Sequence, residues 1–588
     1  MIMLAVWHPD IVEFIISKMQ NPHVLRYLIK TSKDEQIRKA AQDKLKFTPL
    51  TEKERQMYEA IINFKHIPGY GGFTEEIIRD AEEKLRDGGT YDVHNPDFLT
   101  GANISVCLTN DFMEAVENDE EFELRFPDVE HYTEEEMKIY NEKWHEVGDV
   151  REWEKMGFKV RTYRKIRARD LWNLINICAT YSAEPGIFFI DNANEMTNAQ
   201  AYGQKVVATN PCGEQPLAPY SVCNLAAINL ANMVDKEKNE VDFEKLKRTV
   251  EVGVRMQDNV IDATPYFLEE NRKQALGERR IGLGVMGLAD LLIYCKKRYG
   301  SEEGNELVDQ VFEAIATTAY RASIELAKEK GSFPYLVGET EEETRRLREA
   351  FINTGYMKRM PEDIRQDILK YGIRNSHLLT VAPTGSTGTM VGVSTGLEPY
   401  FSFTYYRSGR LGKFIEVKAE IVQEYLDNHP EADENNLPDY FVSAMELSPE
   451  EHADVQCVIQ RWVDSSISKT VNAPAGYTVS QVEKVYERLY KGGAKGGTVY
   501  VDGSRDTQVL TLTAEEEPKV KQEELPIFEE EEQPKVILVD TIKELSATDV
   551  TYGSEIGDTC PICRKGIVKE IGGCNTCDNC GVQLKCGL

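Results

Sequence analysis

Three residues with chemically active side chains lie close together in this chain: Asn210, Cys212 and Glu214. In an extended segment, residues i, i+2 and i+4 point to one face, so an amide, a thiol and a carboxylate would converge on one small volume. Such a set could carry out hydrogen-atom chemistry, in which the thiol becomes a sulfur radical, the carboxylate takes a proton and the amide orients a hydroxyl group. Cys223 follows and could supply reducing equivalents. The alternative is a loop with two buried cysteines, since free cysteine often packs as a small hydrophobic residue.

A second stretch, residues 379–400, contains a loop rich in glycine and hydroxyl side chains. Glycines let the backbone approach an anion closely, and hydroxyl groups add hydrogen-bond donors. The loop is therefore a candidate phosphate site, although the same composition is also typical of a simple turn. Its candidate ligands are Pro383, Thr384, Gly385, Ser386 and Thr387.

Residues 282–287 match the dinucleotide fingerprint GxGxxG, which requires an apolar strand immediately before it. The preceding residues, 271–280, are highly charged and predict a helix or a loop instead. We therefore expect no dinucleotide site at these glycines.

The first two stretches resemble the active site and the substrate-phosphate loop of ribonucleotide reductases, which make deoxyribonucleotides from ribonucleotides. Further similar blocks occur, in that family's order, at residues 8–11, 103–106, 279–284, 466–472 and 497–505. The resemblance implies that Cys212 becomes a thiyl radical that removes the 3′ hydrogen of the ribose. It implies that Glu214 is the general base on the 3′ hydroxyl and that Asn210 holds this hydroxyl. Cys223 would be one of two cysteines that reduce the intermediate as the 2′ hydroxyl leaves as water.

Two differences from other classes of the family indicate the source of the radical. Reductases that receive it from a separate metal subunit carry two adjacent tyrosines near the end of the barrel, whereas here Tyr500 is followed by Val501. The glycyl-radical type ends in a sequence like Arg-Val-Cys-Gly-Tyr, and this chain ends Lys-Cys-Gly-Leu. The resemblance therefore implies the class II type, in which adenosylcobalamin supplies a 5′-deoxyadenosyl radical.

The last 29 residues contain six of the twelve cysteines. Two CxxC pairs are typical of a tetrahedral zinc site, and a module of this size needs a metal to fold. The preferred zinc ligands are Cys560, Cys563, Cys577 and Cys580, which leaves Cys574 and Cys586 as a redox pair that re-reduces the active-site disulfide. The other partition exchanges the roles of Cys574 and Cys580. Thioredoxin or a similar dithiol would reduce the tail.

Short apolar runs alternate with helical patterns between residues 101 and 510, which predicts an α/β fold with parallel strands. The fold of the family is a ten-stranded α/β barrel with the radical thiol on a finger loop, and we expect it to be incomplete in this chain. Residues 1–46 predict a buried strand and then a helix. The predicted domains are the barrel portion 1–510 with a probable insertion at 47–100 (helical at 51–65 and 73–85), an acidic flexible linker at 511–554, and a zinc-ribbon-like module at 555–588.

Charge and composition restrict the partners. A net charge of −30 argues against direct nucleic-acid binding, which needs a basic face, and no apolar run reaches the length of a membrane span. Twelve cysteines fit the reducing cytoplasm better than a disulfide scaffold. Cys107 is expected to serve only in packing, because its block is barrel framework in the family.

Family members carry an N-terminal half before the block at residues 8–11, and that half holds the first redox cysteine. We therefore expect a second chain to supply it, and we leave the possibility of a homodimer open. Three alternatives remain: an inactive or partner-dependent fragment of a split reductase, a related radical enzyme with another substrate, and a non-catalytic binding protein with a zinc tail.

Overall fold

The computed structural model describes residues 2–64, 73–93, 102–409, 412–433, 436–504, 510–511, 556–557, 567–571, 574–578 and 583–586. The α-helices are α1 Ile11–Ile16, α2 Pro22–Thr31, α3 Glu35–Lys44, α4 Glu52–Phe64, α5 Glu75–Asp87, α6 Asn110–Asn118, α7 Glu134–Val147, α8 Val150–Lys155, α9 Ala168–Ser182, α10 Ile190–Met196, α11 Phe243–Ala263, α12 Glu269–Glu278, α13 Leu288–Tyr294, α14 Glu302–Lys330, α15 Glu341–Ile352, α16 Glu362–Tyr371, α17 Gly385–Met390, α18 Glu420–Asn428, α19 Pro449–Gln460 and α20 Val479–Lys491.

The strands are β1 Ile2–Ala5, β2 Leu45–Pro49, β3 Gly89–Val93, β4 Ile104–Leu108, β5 Glu121–Pro127, β6 Val160–Arg167, β7 Gly186–Phe189, β8 Ala208–Thr209, β9 Pro216–Leu217, β10 Asn224–Asn229, β11 Val234–Asp235, β12 Glu240–Val241, β13 Ile281–Met286, β14 Thr404–Gly409, β15 Gly412–Lys418, β16 Thr470–Ala473, β17 Gly496–Val501, β18 Leu510–Thr511, β19 Val568–Ile571, β20 Cys574–Cys577 and β21 Gln583–Cys586. Short 3₁₀ helices lie at Val129–His131, Asn198–Tyr202, Leu230–Met233, Pro334–Leu336, Met357–Arg359 and Ala444–Glu446.

The strands around the candidate site form one open run. β10 pairs in parallel with β13, and single parallel bridges continue the run from Leu283 to Leu379 and from Val381 to Ile467, just before β16. β16 and β17 pair in parallel, β17 pairs antiparallel with β7, and β7, β4 and β1 are parallel. The predicted α/β fold is confirmed, but the described residues form eight strand segments and no closed ten-stranded barrel.

The sequences of the interior strands are continuous runs of mostly apolar residues because helices cover these strands. Every residue of β4, β7 and β13 is buried. One core cluster joins β13 to α11, α13 and α14, and a second joins β4, β7 and β17 to α1, α9 and α20. This burial on both faces is the usual environment of parallel strands and explains their lack of polar alternation.

The two ends of the run are edge strands. The sequence predicts a buried first strand, which is wrong for β1: Ile2 is 42% exposed, because β1 pairs only with β4 among the described residues. At the other end, Leu225 on β10 is 49% exposed. Both edges therefore carry exposed apolar side chains, and neither β1 nor β10 has a strand partner on its outer side among the described residues.

The N-terminal region also differs from the simple strand–helix expectation. Three helices, α1 to α3, follow β1, because Asn21 caps α2 with Pro22 in its first turn and Asp34 caps α3. In the predicted insertion, α4 and α5 agree with the two predicted helical stretches and lie between the paired strands β2 and β3. No helix among the described residues has both the length and the apolar composition required to cross a membrane.

Candidate active site

A short hairpin carries the Asn-Cys-Glu stretch. β8 and β9 pair antiparallel, and the residues between them reverse direction through Gly213, whose φ is +82°. The backbone N–H of Gly213 donates to the carbonyl of Asn210 at 3.0 Å. The stretch is therefore a tight turn, and the expectation of an extended segment is wrong, because glycine accepts the left-handed conformation that the turn requires.

The turn still groups the three predicted residues. Cys212 is exposed at its tip, whereas Glu214 is only 2% exposed. The side-chain oxygen of Asn210 accepts from the backbone N–H of Gln215 at 3.0 Å, which fixes the orientation of the amide. Burial raises the pKa of the Glu214 carboxyl, and a hydrogen bond from the Asn210 side chain offsets part of this shift. Burial and the Glu214 charge also raise the pKa of the Cys212 thiol.

One oxygen of Glu214 is left without a partner. Its Oε2 atom is buried and makes no hydrogen bond within the described part of the chain. A buried carboxylate oxygen without a donor is costly to keep. Such an atom indicates a function, since it is available to accept a hydrogen bond from a ligand.

Two neighbouring segments hold the backbone of Glu214. Its carbonyl accepts from the hydroxyl of Thr380 at 2.6 Å and from the backbone N–H of Ser466 at 2.9 Å. Both residues are fully buried. Sequence reasoning did not select them, although each begins or lies in a block that resembles the family.

Cys223 lies immediately before β10 and next to the same group of residues. A Cβ atom built on Gly282 would lie 2.8 Å from the sulfur of Cys223 and 2.6 Å from the methyl carbon of Thr380. The missing side chain of Gly282 thus provides the space in which the thiol lies. Through Thr380 and its bond to Glu214, Cys223 belongs to the same group of residues as the turn.

A buried ion pair acts electrostatically on the Cys223 thiol. Arg280 and Glu278 are both buried and lie 3.5 Å apart, and Arg280 also donates to the carbonyl of Pro216 at 3.2 Å, at the base of the hairpin. Burial raises the pKa of Cys223 to about 12, while the Arg280 charge partly opposes this. The thiol is therefore protonated at neutral pH.

The candidate phosphate loop follows directly on the segment that contains Thr380. Gly385, Ser386 and Thr387 are exposed at the start of α17, and Thr384 has a left-handed φ of +47°. The hydroxyl of Thr384 accepts from the backbone N–H of Gly396 at 2.7 Å, which closes the loop on itself. Pro383, at its start, is half-buried. The loop thus presents backbone and hydroxyl groups to solvent.

Other predicted residues serve in packing. Cys107 is buried against Phe188, Ala193 and Val206. As expected, a helix, α12, precedes the GxGxxG match, and Gly282 and Gly284 lie inside the buried strand β13. Val501 is buried at the end of β17.

Only part of the cysteine-rich tail is described. Cys560, Cys563 and Cys580 lie outside the described residues, Cys577 is buried, and no group of metal-binding side chains occurs among the residues that are described. β19, β20 and β21 form an antiparallel sheet. In its register, Cys574 lies directly opposite Cys586.

Comparison with known proteins identifies the family of this chain. A family model described as the ribonucleotide reductase barrel domain matches residues 1–500. The chain therefore belongs to the ribonucleotide reductase family.

Individual relatives include two that are described as vitamin B12-dependent and others whose descriptions do not mention the vitamin. A vitamin B12-dependent ribonucleoside-diphosphate reductase of Thermoplasma acidophilum is 30% identical over 491 residues, which are 80% of this chain and 54% of that protein. A reductase of the same description from Mycobacterium tuberculosis is 34% identical, covering 60% of this chain and 48% of the relative. The ribonucleoside-diphosphate reductase subunit alpha of Chlamydia pneumoniae is 31% identical, over 60% of this chain and 36% of the relative. The chain spans about half the length of the two B12-dependent relatives.

Proposed function

We propose that this chain carries the catalytic site of a ribonucleoside-diphosphate reductase that makes 2′-deoxyribonucleotides by thiyl-radical chemistry. The observation that carries the proposal is the grouping of an exposed thiol, Cys212, a buried carboxylate, Glu214, and a second thiol, Cys223, which are brought together through Thr380 and Gly282. The match to the family over residues 1–500 supports it.

Each side chain then has a distinct task. Cys212, as a thiyl radical, takes the 3′ hydrogen atom of the ribose and returns a hydrogen atom at the end of the cycle. Glu214 accepts the proton of the 3′ hydroxyl through its unpartnered Oε2 and returns it when that hydroxyl is restored in the product, while the amide of Asn210 orients the hydroxyl. Cys223 and a second thiol deliver two electrons and two protons, so the 2′ hydroxyl leaves as water and the two sulfurs form a disulfide.

We infer that adenosylcobalamin is the cofactor, which supplies an organic radical when bound. The feature of this chain that fits it is the exposed thiol of Cys212, which a radical donor can reach directly. The half-buried Tyr500 is followed by the buried Val501, so these two positions do not offer a pair of adjacent tyrosines. The description of two relatives as B12-dependent supports the same choice.

The loop Pro383–Thr387 is the proposed site of the substrate phosphates. Its exposed backbone and hydroxyl groups can donate hydrogen bonds to an anion without a lysine or arginine. This matters in a chain with a net charge of −30, in which phosphate binding has to rely on local donors.

We further propose that a second polypeptide, which supplies the first redox cysteine, covers the edges of β1 and β10. The support is the exposed apolar side chains Ile2 and Leu225 on these strands. Two additional strands between these edges would complete the ten-stranded barrel.

Zinc, held by Cys560, Cys563, Cys577 and Cys580, would shape the tail, and the facing Cys574 and Cys586 would pass electrons from thioredoxin.

The direct test is an anaerobic assay of deoxynucleotide formation from a nucleoside diphosphate with adenosylcobalamin and dithiothreitol. It is run with and without an added chain corresponding to the N-terminal part of a B12-dependent relative. We expect product only with the added chain, and no product from Cys212→Ser although that variant folds. Product from this chain alone would assign the second thiol to another of its cysteines, with Cys107 tested first. Normal turnover by Cys212→Ser, or no product under any condition, would contradict the proposal.

A further inference from the structure

A cleft of about 390 Å³ lies behind the hairpin and takes no part in the chemistry described above. It opens at the carboxyl ends of the adjacent parallel strands β1, β4 and β7, where Ala5, Thr109 and Ile190 line it. In open α/β sheets this is the edge at which ligands bind, because the loops that follow the strands diverge there.

One wall of the cleft is aromatic. Trp7, His8, Phe126 and Trp144 line it, and their rings meet edge to face: His8 with Phe126 at 5.1 Å, Phe126 with Trp144 at 5.7 Å, and Trp7 with Trp144 at 6.2 Å between centroids. Val207–Thr209, which lead directly into Asn210, also line the cleft. A flat apolar ring can pack against an aromatic wall of this kind.

A buried hydroxyl on the cleft has no partner. Thr109 occupies the N-cap position of α6, yet its side chain makes no capping hydrogen bond. The residue is 2% exposed, and its Oγ1 has no hydrogen-bond partner within the described residues. Threonine at this position normally caps its helix. A buried hydroxyl that makes no such bond and lies beside a cleft points to a ligand that would form the missing hydrogen bond.

His8 provides a second polar group. Its Nδ1 accepts from the backbone N–H of Asp10 at 3.1 Å, so Nε2 carries the proton of the neutral ring. Burial lowers the pKa of His8, although the charge of Asp10 partly opposes this, and the ring is therefore neutral at neutral pH. The N–H of Nε2 is a donor.

The two charged residues that line the cleft, Asp149 and Lys205, are each paired with a residue of opposite charge. Arg151 pairs with Asp149 at 2.8 Å and with Asp191 at 2.7 Å, and Lys205 pairs with Glu152 at 2.7 Å. Both cations are thus engaged by carboxylates. This arrangement disfavours a phosphate group and leaves the cleft suited to an uncharged ligand.

We propose that this cleft binds a neutral, flat heteroaromatic ring of nucleobase size, stacked against the aromatic wall and hydrogen-bonded along one edge to Thr109 and His8. The site is separate from the proposed catalytic turn and does not depend on the proposed function. Because the ligand would pack against the strand that precedes Asn210, its binding would also stiffen the base of the hairpin.

Adenine, which lacks ribose and phosphate, is the probe. Its binding to the full chain is measured by isothermal titration and by quenching of tryptophan fluorescence. We expect saturable binding, an affinity about tenfold lower in Thr109→Val because one buried hydrogen bond is lost, and loss of most of the quenching in Trp144→Leu. Thr264→Val removes an exposed hydroxyl far along the chain and should bind as wild type does.

Variants of the proposed catalytic site separate this inference from the proposed function. Cys212→Ser and Ser386→Ala should bind adenine with wild-type affinity if the cleft is the site. No binding by the folded wild-type chain would overturn the proposal. So would binding that Thr109→Val and Trp144→Leu leave unchanged, or binding that Cys212→Ser or Ser386→Ala abolishes.

Discussion

At the scale of single residues, backbone hydrogen bonds hold Glu214 in a buried position that is unfavourable for its carboxylate. Glu214 is buried with one unpartnered oxygen, while its carbonyl is fixed by Thr380 and Ser466. The protein therefore orders the main chain of the turn firmly and leaves one oxygen of the Glu214 carboxylate without a partner among the described residues. This combination is expected where a ligand, and not the fold, supplies the missing hydrogen bond.

The raised pKa of Glu214 leads to a pH-dependent stability. The folded protein holds this proton more tightly than the unfolded chain does, so the contribution to stability is complete below the unfolded pKa and is lost as pH rises through the folded pKa. We expect Glu214→Gln, which cannot ionise, to be more stable than wild type at mildly alkaline pH by on the order of 1 kcal/mol. Urea titrations over a pH series measure the difference.

The difference should shrink as the pH falls below the normal titration range of glutamate. Glu251 is an exposed carboxylate on α11, and Glu251→Gln is the matched control, for which we expect no such trend. A Glu214→Gln variant that is less stable than wild type at alkaline pH would argue against an unsatisfied carboxylate.

Thr380 is a positioning residue for the turn. Thr380→Val removes the hydroxyl that binds the Glu214 carbonyl at 2.6 Å but keeps the shape of the side chain. The carbonyl retains the N–H of Ser466, so we expect a loss of stability of only about 1 kcal/mol and a fall in kcat of about fivefold to tenfold, with KM nearly unchanged. Thr380→Ser, which restores the hydroxyl, should recover most of kcat. An equal loss in both variants would mean that the methyl group, and not the hydrogen bond, is what matters.

At the scale of elements, the sequence predicts which residues lie close together better than it predicts their backbone conformation. The grouping of Asn210, Cys212 and Glu214 follows from their spacing, but the extended conformation does not, because Gly213 allows a tight turn. The contact between Cys223 and Gly282 could not be read from the chain. It depends on the pairing of β10 with β13, and that register is set by tertiary packing.

Gly282 tests this strand pairing directly. In Gly282→Ala the new methyl would lie 2.8 Å from the Cys223 sulfur and 2.6 Å from Thr380 in a buried strand. We expect a destabilisation of about 1–3 kcal/mol, the usual cost of overpacking, and a changed rate of Cys223 labelling by a thiol reagent. Gly385→Ala, whose Cβ meets nothing within 4 Å, is the control for stability. Equal stability of the two variants would contradict the close approach of the strands.

At the scale of the whole molecule, the proposed chemistry requires electrons to reach Cys223, a thiol that is half-buried. Cys223 packs against Gly282 beside a buried ion pair, and these contacts restrict the approach of a large reductant to its partly exposed sulfur. The predicted acidic linker, residues 511–554, lies almost entirely outside the described residues and stays a prediction, and the predicted redox pair follows it in the sequence. The spacing of the cysteines predicted a metal module but left the partition of its six thiols open.

The register of the tail favours one partition. Cys574 is paired with Cys586 in the strand register, and residues directly opposite in an antiparallel pair have Cα atoms about 4.5–5.5 Å apart, which is within the range that a disulfide bridges. We therefore expect Cys574→Ser and Cys586→Ser to retain zinc, to lose turnover driven by thioredoxin and to keep turnover driven by dithiothreitol, which reaches the active site without the tail. Cys577→Ser should instead lose zinc. Zinc content by atomic absorption and parallel assays with the two reductants measure both effects. If Cys574→Ser lost zinc while Cys580→Ser lost only the thioredoxin-driven turnover, the other partition would hold, since Cys580 would then be the thiol that pairs with Cys586.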